Sequence, residues 1–165
     1  MDIYQFLSNH NIPFERYDHP PVFTCEEANR LVPSLAAAKT KNLFLCDGKG
    51  RRHFLVVVGF EKRVDLKALS LLFGLNKLRF ASPKRLVRCL GVDPGAVSIL
   101  GVMKDSNREV AVIFDKDLWG GAKAFQCHPL VNTSTLLISK DQISRLLTLT
   151  GHEPRIMDVP HHPAK

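Results

Sequence analysis

Apolar and polar positions along the chain follow two rhythms, one of period two and one of helical period. Asn42 to Cys46 and Phe54 to Val58 are short apolar runs of β-forming residues. The stretch Asp47-Gly48-Lys49-Gly50-Arg51 between them has turn chemistry, so together they predict a hairpin. Val110 to Phe114 predicts another strand, as do the shorter runs Val97 to Leu100, Phe125 to Cys127 and Thr135 to Ile138. Ile12 to Tyr17 reads as an extended segment interrupted by Pro13.

Helical spacing appears at Ile3, Phe6 and Leu7 after Asp2, and from Asp65 to Phe73 with Gly74 beyond its end. Thr24-Cys25-Glu26-Glu27 has capping-box spacing for a helix that Pro33 ends. Ser82-Pro83 opens a helix closed by Gly91, and Ser139-Lys140-Asp141-Gln142 opens one running through Leu149 to Gly151. Gly120-Gly121 reads as a break. Hairpins with helices inserted between them predict an α+β fold on a mixed or antiparallel sheet. One domain is expected over residues 1–159, with a disordered tail over 160–165.

A chain of 165 residues that is 45% hydrophobic can hold a core without metal or disulfide. Cys25, Cys46, Cys89 and Cys127 are widely separated and show no zinc spacing, which suits a reducing cytoplasm. The first ten residues lack the regions of a signal peptide, and no apolar run reaches membrane-spanning length. The net charge of +7 is unevenly placed: Lys39 to Arg88 holds thirteen basic residues against Asp47, Glu61 and Asp65, and the remainder is slightly acidic. Such a distribution suits a phosphate backbone as partner, and equally a solvated basic face.

Three places could carry chemistry. Lys41 opens the first clear strand on the face of Leu43 and Leu45, where an ammonium is either functional or at a wet strand end. His128, in Cys127-His128-Pro129-Leu130-Val131-Asn132-Thr133, is a positioning or acid/base candidate, with a structural turn histidine as the alternative. Cys127 and His128 are strand neighbours pointing to opposite faces, which argues against a dyad. Gly95-Ala96-Val97-Ser98-Ile99-Leu100-Gly101 could bring backbone N–H groups to a substrate carbonyl, or serve as a simple turn. It has neither Rossmann nor Walker spacing.

Read together, five stretches resemble the YbaK/ProX family of free-standing editing proteins, relatives of the insertion domain of bacterial prolyl-tRNA synthetase. They are His19-Pro20-Pro21-Val22-Phe23-Thr24 with Glu26-Glu27-Ala28, Thr40-Lys41-Asn42-Leu43-Phe44-Leu45, Leu90-Gly91-Val92-Asp93-Pro94-Gly95, His128-Pro129-Leu130-Val131-Asn132-Thr133-Ser134-Thr135 and Gly151-His152-Glu153-Pro154. The resemblance implies a curved, barrel-like mixed sheet flanked by helices. It implies hydrolysis of the ester between an amino acid and tRNA, without metal or other cofactor. Lys41 falls on the family's essential lysine, His128 in its substrate-pocket motif, and Gly95 at its glycine-rich loop near the scissile carbonyl.

The matched stretches further imply substrate contacts at Asn42, Ala96, Val97, Ser98, Gly101 and Asn132, with an apolar pocket from Val22, Phe23 and residues near His128. The subgroup it is most similar to clears alanine from proline tRNA. Its expected partner is the acceptor end of that tRNA, with prolyl-tRNA synthetase as a further candidate. Ile99 stands where the family usually has proline. That departure keeps open a catalytically silent tRNA- or protein-binding module, and a deacylase for cysteine or another small amino acid.

Overall fold

The computed structural model describes residues 2–21 and 37–163. Its elements are α1 (Ile3–Asn9), β1 (Glu15–Asp18), β2 (Thr40–Asp47), β3 (His53–Gly59), α2 (Leu66–Leu72), β4 (Leu78–Phe80) and α3 (Pro83–Leu90). A 3-10 helix (Ile99–Lys104), β5 (Val110–Asp115), α4 (Lys116–Gly121), β6 (Ala124–Cys127), β7 (Ser134–Ser139), α5 (Lys140–Thr150) and β8 (Arg155–Met157) complete it. The helix expected from Thr24, and Val22 and Phe23, lie outside the described residues.

Five strands form a mixed sheet in the order β4-β2-β3-β5-β8, antiparallel among β4, β2 and β3 and parallel from β3 through β5 to β8. The central strand β3 is buried from His53 to Val58, which explains why its apolar run does not alternate. Leu55 and Val57 join a first core with Phe44, Phe114, Leu90 and Leu136. Phe54, Val56 and Val58 join a second with Leu45, Leu69 and Ile113. Each buried aliphatic side chain contributes about 1.5–3 kcal/mol relative to exposure, so a double-faced strand anchors both layers.

A separate antiparallel sheet, β1-β7-β6, covers the first core. The two sheets remain open, which corrects the barrel-like expectation while keeping the α+β class. They meet at one seam. Ala38, just before β2, pairs in parallel with Phe125 of β6, its N–H bonding Ala124 O at 2.9 Å and its carbonyl accepting Gln126 N–H at 2.9 Å.

The caps behave as the side chains dictate. Asp2, Asp65, Ser82 and Ser139 accept the orphan N–H groups at their helix starts, and Gly91 and Gly151 adopt the left-handed conformation that ends α3 and α5. Other expectations are corrected. Val97 to Leu100 is no strand, because Ser98 caps a 3-10 turn instead. Gly120-Gly121 are the last two residues of the short helix α4, and β4 and β8 are edge strands too short to show a period. The tail continues in contact past 159: Asp65 N–H bonds Pro160 O, His162 N–H bonds Arg63 O, and Val64 pairs with His161.

Candidate active site

The seam between the sheets brings two of the predicted segments together. Thr40 Oγ1 donates to Gln126 O at 2.8 Å and Gln126 Nε2 donates to Ala37 O at 3.1 Å. Lys41 and Asn42 follow Thr40 on one strand, and His128 follows β6 on the other. The segments of the candidate lysine and histidine thus lie side by side, although far apart in sequence.

Alternation along β2 sends the two neighbours to opposite faces. Lys41, paired with Val58, lies toward the second core, and its Nζ donates to the carbonyl of Lys62 at the end of the hairpin ladder. It is half-buried and bonded, so the reading of a frayed end in water does not apply. Asn42 turns toward the first core, where its Oδ1 is buried without a hydrogen-bond partner. An unpaired buried acceptor costs about 1–3 kcal/mol, and groups of this kind call for an explanation.

His128 is half-buried in the loop between β6 and β7, its Nδ1 lying 3.4 Å from Ser134 O. A carbonyl only accepts, so Nδ1 carries the proton and Nε2 of the neutral ring keeps its lone pair. Burial holds the His128 pKa below its ordinary 6.5, and the nearby His19 pushes it the same way against the Ser134 carbonyl. His19 is a neighbour that residue-by-residue reading missed. Its Nδ1 donates to Pro20 O at 2.9 Å and its Nε2 meets Thr135 Oγ1 at 2.9 Å. The available signal was the His-Pro-Pro stretch, which marks a turn without revealing that the turn lies against β7. Between His128 and Asn132, Leu130 holds φ +68, a strained conformation for a γ-branched residue that fixes the loop's course.

The glycine loop packs against the first core from the α3 side. Gly95 is exposed at φ +93, which only glycine adopts without strain, and Val97 is half-buried. Three N–H groups are already bonded: Ala96 to Asp93 O, Leu100 to Ser98 Oγ and Gly101 to Ser98 O. Ser98 is fully buried, and a Cβ at Gly101 would stand 3.0 Å from Leu90 Cβ. The structure therefore gives Ala96, Ser98 and Gly101 packing contacts and leaves Gly95 and Val97 at the loop surface.

The aminoacyl-tRNA editing domain profile matches residues 19–146. The chain belongs to the aminoacyl-tRNA editing domain family. It is 38% identical over 146 residues to the prolyl-tRNA editing protein ProX of Acetoanaerobium sticklandii, covering 88% of each chain. It is also 38% identical over 157 residues to the prolyl-tRNA synthetase associated domain-containing protein 1 of Danio rerio, covering 94% of this chain and 85% of that one. A crystal structure described as a candidate trans-editing enzyme for prolyl tRNA synthetase shares the fold. Its TM-score is 0.67 at 23% identity, over 90% of this chain and 87% of that one.

Other reactive groups of this editing domain are used elsewhere. Burial pushes the Cys127 thiol up to about 12, so it is no nucleophile at neutral pH, and Cys46 and Cys89 are buried too. Asp115, Asp117 and Asp158 converge, but the Lys62 ammonium stands 2.9 Å from Asp115 and 3.8 Å from Asp158, supplying the positive charge itself. His152, in the last family-like stretch, is buried on Asp105. No helix among the described residues is long and apolar enough to cross a membrane.

Proposed function

We propose that this chain is a stand-alone hydrolase of the ester joining an amino acid to tRNA, acting on proline tRNA mischarged with a small amino acid, alanine first. The observation that carries it is the unpartnered Oδ1 of Asn42, on the face of β2 opposite Lys41 and at the seam that also holds the segment of His128. A buried acceptor with nothing to accept suits a substrate donor, either the α-ammonium of the amino acid or a ribose hydroxyl.

Water is the nucleophile in this reading. It adds to the ester carbonyl carbon, the bond from that carbon to the ribose oxygen breaks, and a proton passes to the departing hydroxyl. The products are free amino acid and tRNA. Neutral His128 offers its Nε2 lone pair to orient the water or the substrate ammonium. The N–H groups of Gly95 and Val97 support the oxyanion, since those of Ala96, Leu100 and Gly101 are already bonded. Lys41 favours the developing negative charge at the acceptor end, and Asn132 shapes the same loop as His128. The family resemblance assigns to Val22 and Phe23, outside the described residues, the role of an apolar second sieve for alanine. Such a second sieve is useful because missing methylenes are worth only about 1–3 kcal/mol to a synthetase pocket.

Acting in trans, the hydrolase meets its tRNA in the cytoplasm, with prolyl-tRNA synthetase as the source of the mischarged substrate. The test is time-resolved deacylation of Ala-, Cys- and Pro-charged proline tRNA by the wild type and Lys41→Ala. Loss of alanine that depends on Lys41 supports the reading, and loss of cysteine alone changes the substrate. Turnover unaffected by Lys41→Ala overturns the mechanism, and no turnover with tRNA still bound favours the silent module.

A further inference from the structure

The strongest unassigned feature is a basic surface at the far end of β2 from the candidate site. Lys41 and Asp47 lie six residue steps apart on the strand, about 20 Å of rise. There the hairpin turn carries Lys49, Arg51 and Arg52, all exposed. Lys77 and Arg79 flank it on and before β4, and Lys84, Arg85 and Arg88 project from α3. Two acids stand near them: Asp47, whose carboxylate accepts the N–H groups of Arg51 and Arg52 at 2.7 and 3.1 Å, and Glu109, close enough to act on His53 and Cys89.

The surface is a shaped one. Ser82, Lys84, Arg85 and Arg88 line a groove of about 490 Å³. Arg85 is fastened at its wall, with Nη1 donating to Gly50 O at 2.8 Å and facing His53 Nε2 at 3.1 Å. That ties the hairpin turn to α3 and leaves Lys84 and Arg88 as exposed cations along the groove. Three elements thus bring eight basic side chains to this end of the molecule, three of them lining the groove, against the nearby carboxylates of Asp47 and Glu109.

We propose that this groove docks the phosphate backbone of the tRNA acceptor arm while the 3′ end reaches the seam. The inference rests on the hydrolase reading for its choice of polyanion. Backbone contacts are the sequence-independent part of nucleic-acid recognition, and duplex RNA offers proteins its phosphates and 2′-hydroxyls more readily than its bases. The separation along β2 has a function in this arrangement: the unpaired 3′ end spans it, and the groove meets the chain further back.

The experiment is binding of uncharged proline tRNA, followed by fluorescence anisotropy over a range of salt, with wild type, Lys84→Glu/Arg88→Glu and the control Lys67→Glu/Lys116→Glu. The control makes the same change in net charge at exposed positions away from the groove. The groove variant is expected to lose about tenfold or more in affinity and to flatten the salt slope by about two, with the control losing much less. Equal losses in the two variants, or none in either, overturn the proposal. Loss of binding to prolyl-tRNA synthetase with tRNA affinity unchanged overturns it in favour of an acidic protein surface. Binding that depends on Lys84 and Arg88 in a protein that cleaves no aminoacyl ester keeps the groove and rejects the hydrolase.

Discussion

His152 Nε2 lies 2.8 Å from Asp105 Oδ2, both side chains buried where the end of α5 meets the start of β5. Thr150 Oγ1 holds the other ring nitrogen at 2.8 Å, and Asp105 also accepts the N–H groups of Glu109 and Val110. The family-like Gly-His-Glu-Pro stretch is thus a fold clamp, tying the end of α5 to the residue that closes the 3-10 helix. His152→Ala should lower the unfolding free energy by about 1–3 kcal/mol, and Asp105→Ala by more, because it strands a histidine and two backbone donors. Urea titrations check the order, and the reverse order would mean that Asp105 is held mainly by other groups.

Gly101 is expected to respond to size. A Cβ there would meet Leu90 Cβ at 3.0 Å and Leu90 O at 3.3 Å. Gly101→Ala should push the loop from α3 and cost about 1–3 kcal/mol, with deacylation falling as Gly95 and Val97 move. Thermal melts and rates on alanine-charged tRNA read both; a slower rate with unchanged stability would give Gly101 a direct substrate contact.

Legibility in the sequence followed the range of the forces involved. Caps and glycine stops at Asp2, Asp65, Ser82, Gly91 and Gly151 are decided within a few residues, so those helices were readable. The hairpin was readable because Asp47 closes its turn locally. Strands β4 and β8 were not, since three residues show no period and only the neighbouring strands order them. Lys41 and His128 stood out by type and motif, but only the seam at Ala38, Thr40 and Gln126 brings their segments together. His19, the strained Leu130 and the orphaned Asn42 oxygen depend on contacts with β7 or on burial, which no local pattern encodes.

Buried His53 and half-buried His128 set an acid limit on stability. Burial, reinforced by Arg85 and Arg88, lowers the His53 pKa, and burial lowers that of His128. The unfolded chain then binds their protons first as pH falls below 6.5, so stability rises with pH between the depressed folded values and 6.5. Their contribution is complete above 6.5 and lost as pH falls through the folded values. Asp18 and Asp47, whose pKa values are lowered by hydrogen bonds, act below 3.8 and so leave this window to the histidines. Thermal midpoints at pH 7.5 and 5 should differ, and His53→Gln should narrow the gap. An unchanged gap in that variant would remove His53 from the account.

Ile99, which stands where the family usually has proline, is the residue on which the silent alternative rests. It is the first residue of the 3-10 helix, preceded by Ser98 at φ −150 and ψ 148, with Ser98 Oγ taking the N–H of Leu100 and Ser98 O that of Gly101. The first helical position is where proline fits best, and an extended residue is what precedes proline, so isoleucine and proline support the same loop here. Ile99→Pro should therefore fold, losing about 1 kcal/mol from the packing of a side chain only 3% exposed, and should keep deacylation within a few-fold. A hundredfold loss would show that the Ile99 N–H takes part in catalysis. Activity appearing only in Ile99→Pro would identify the natural chain as the silent form.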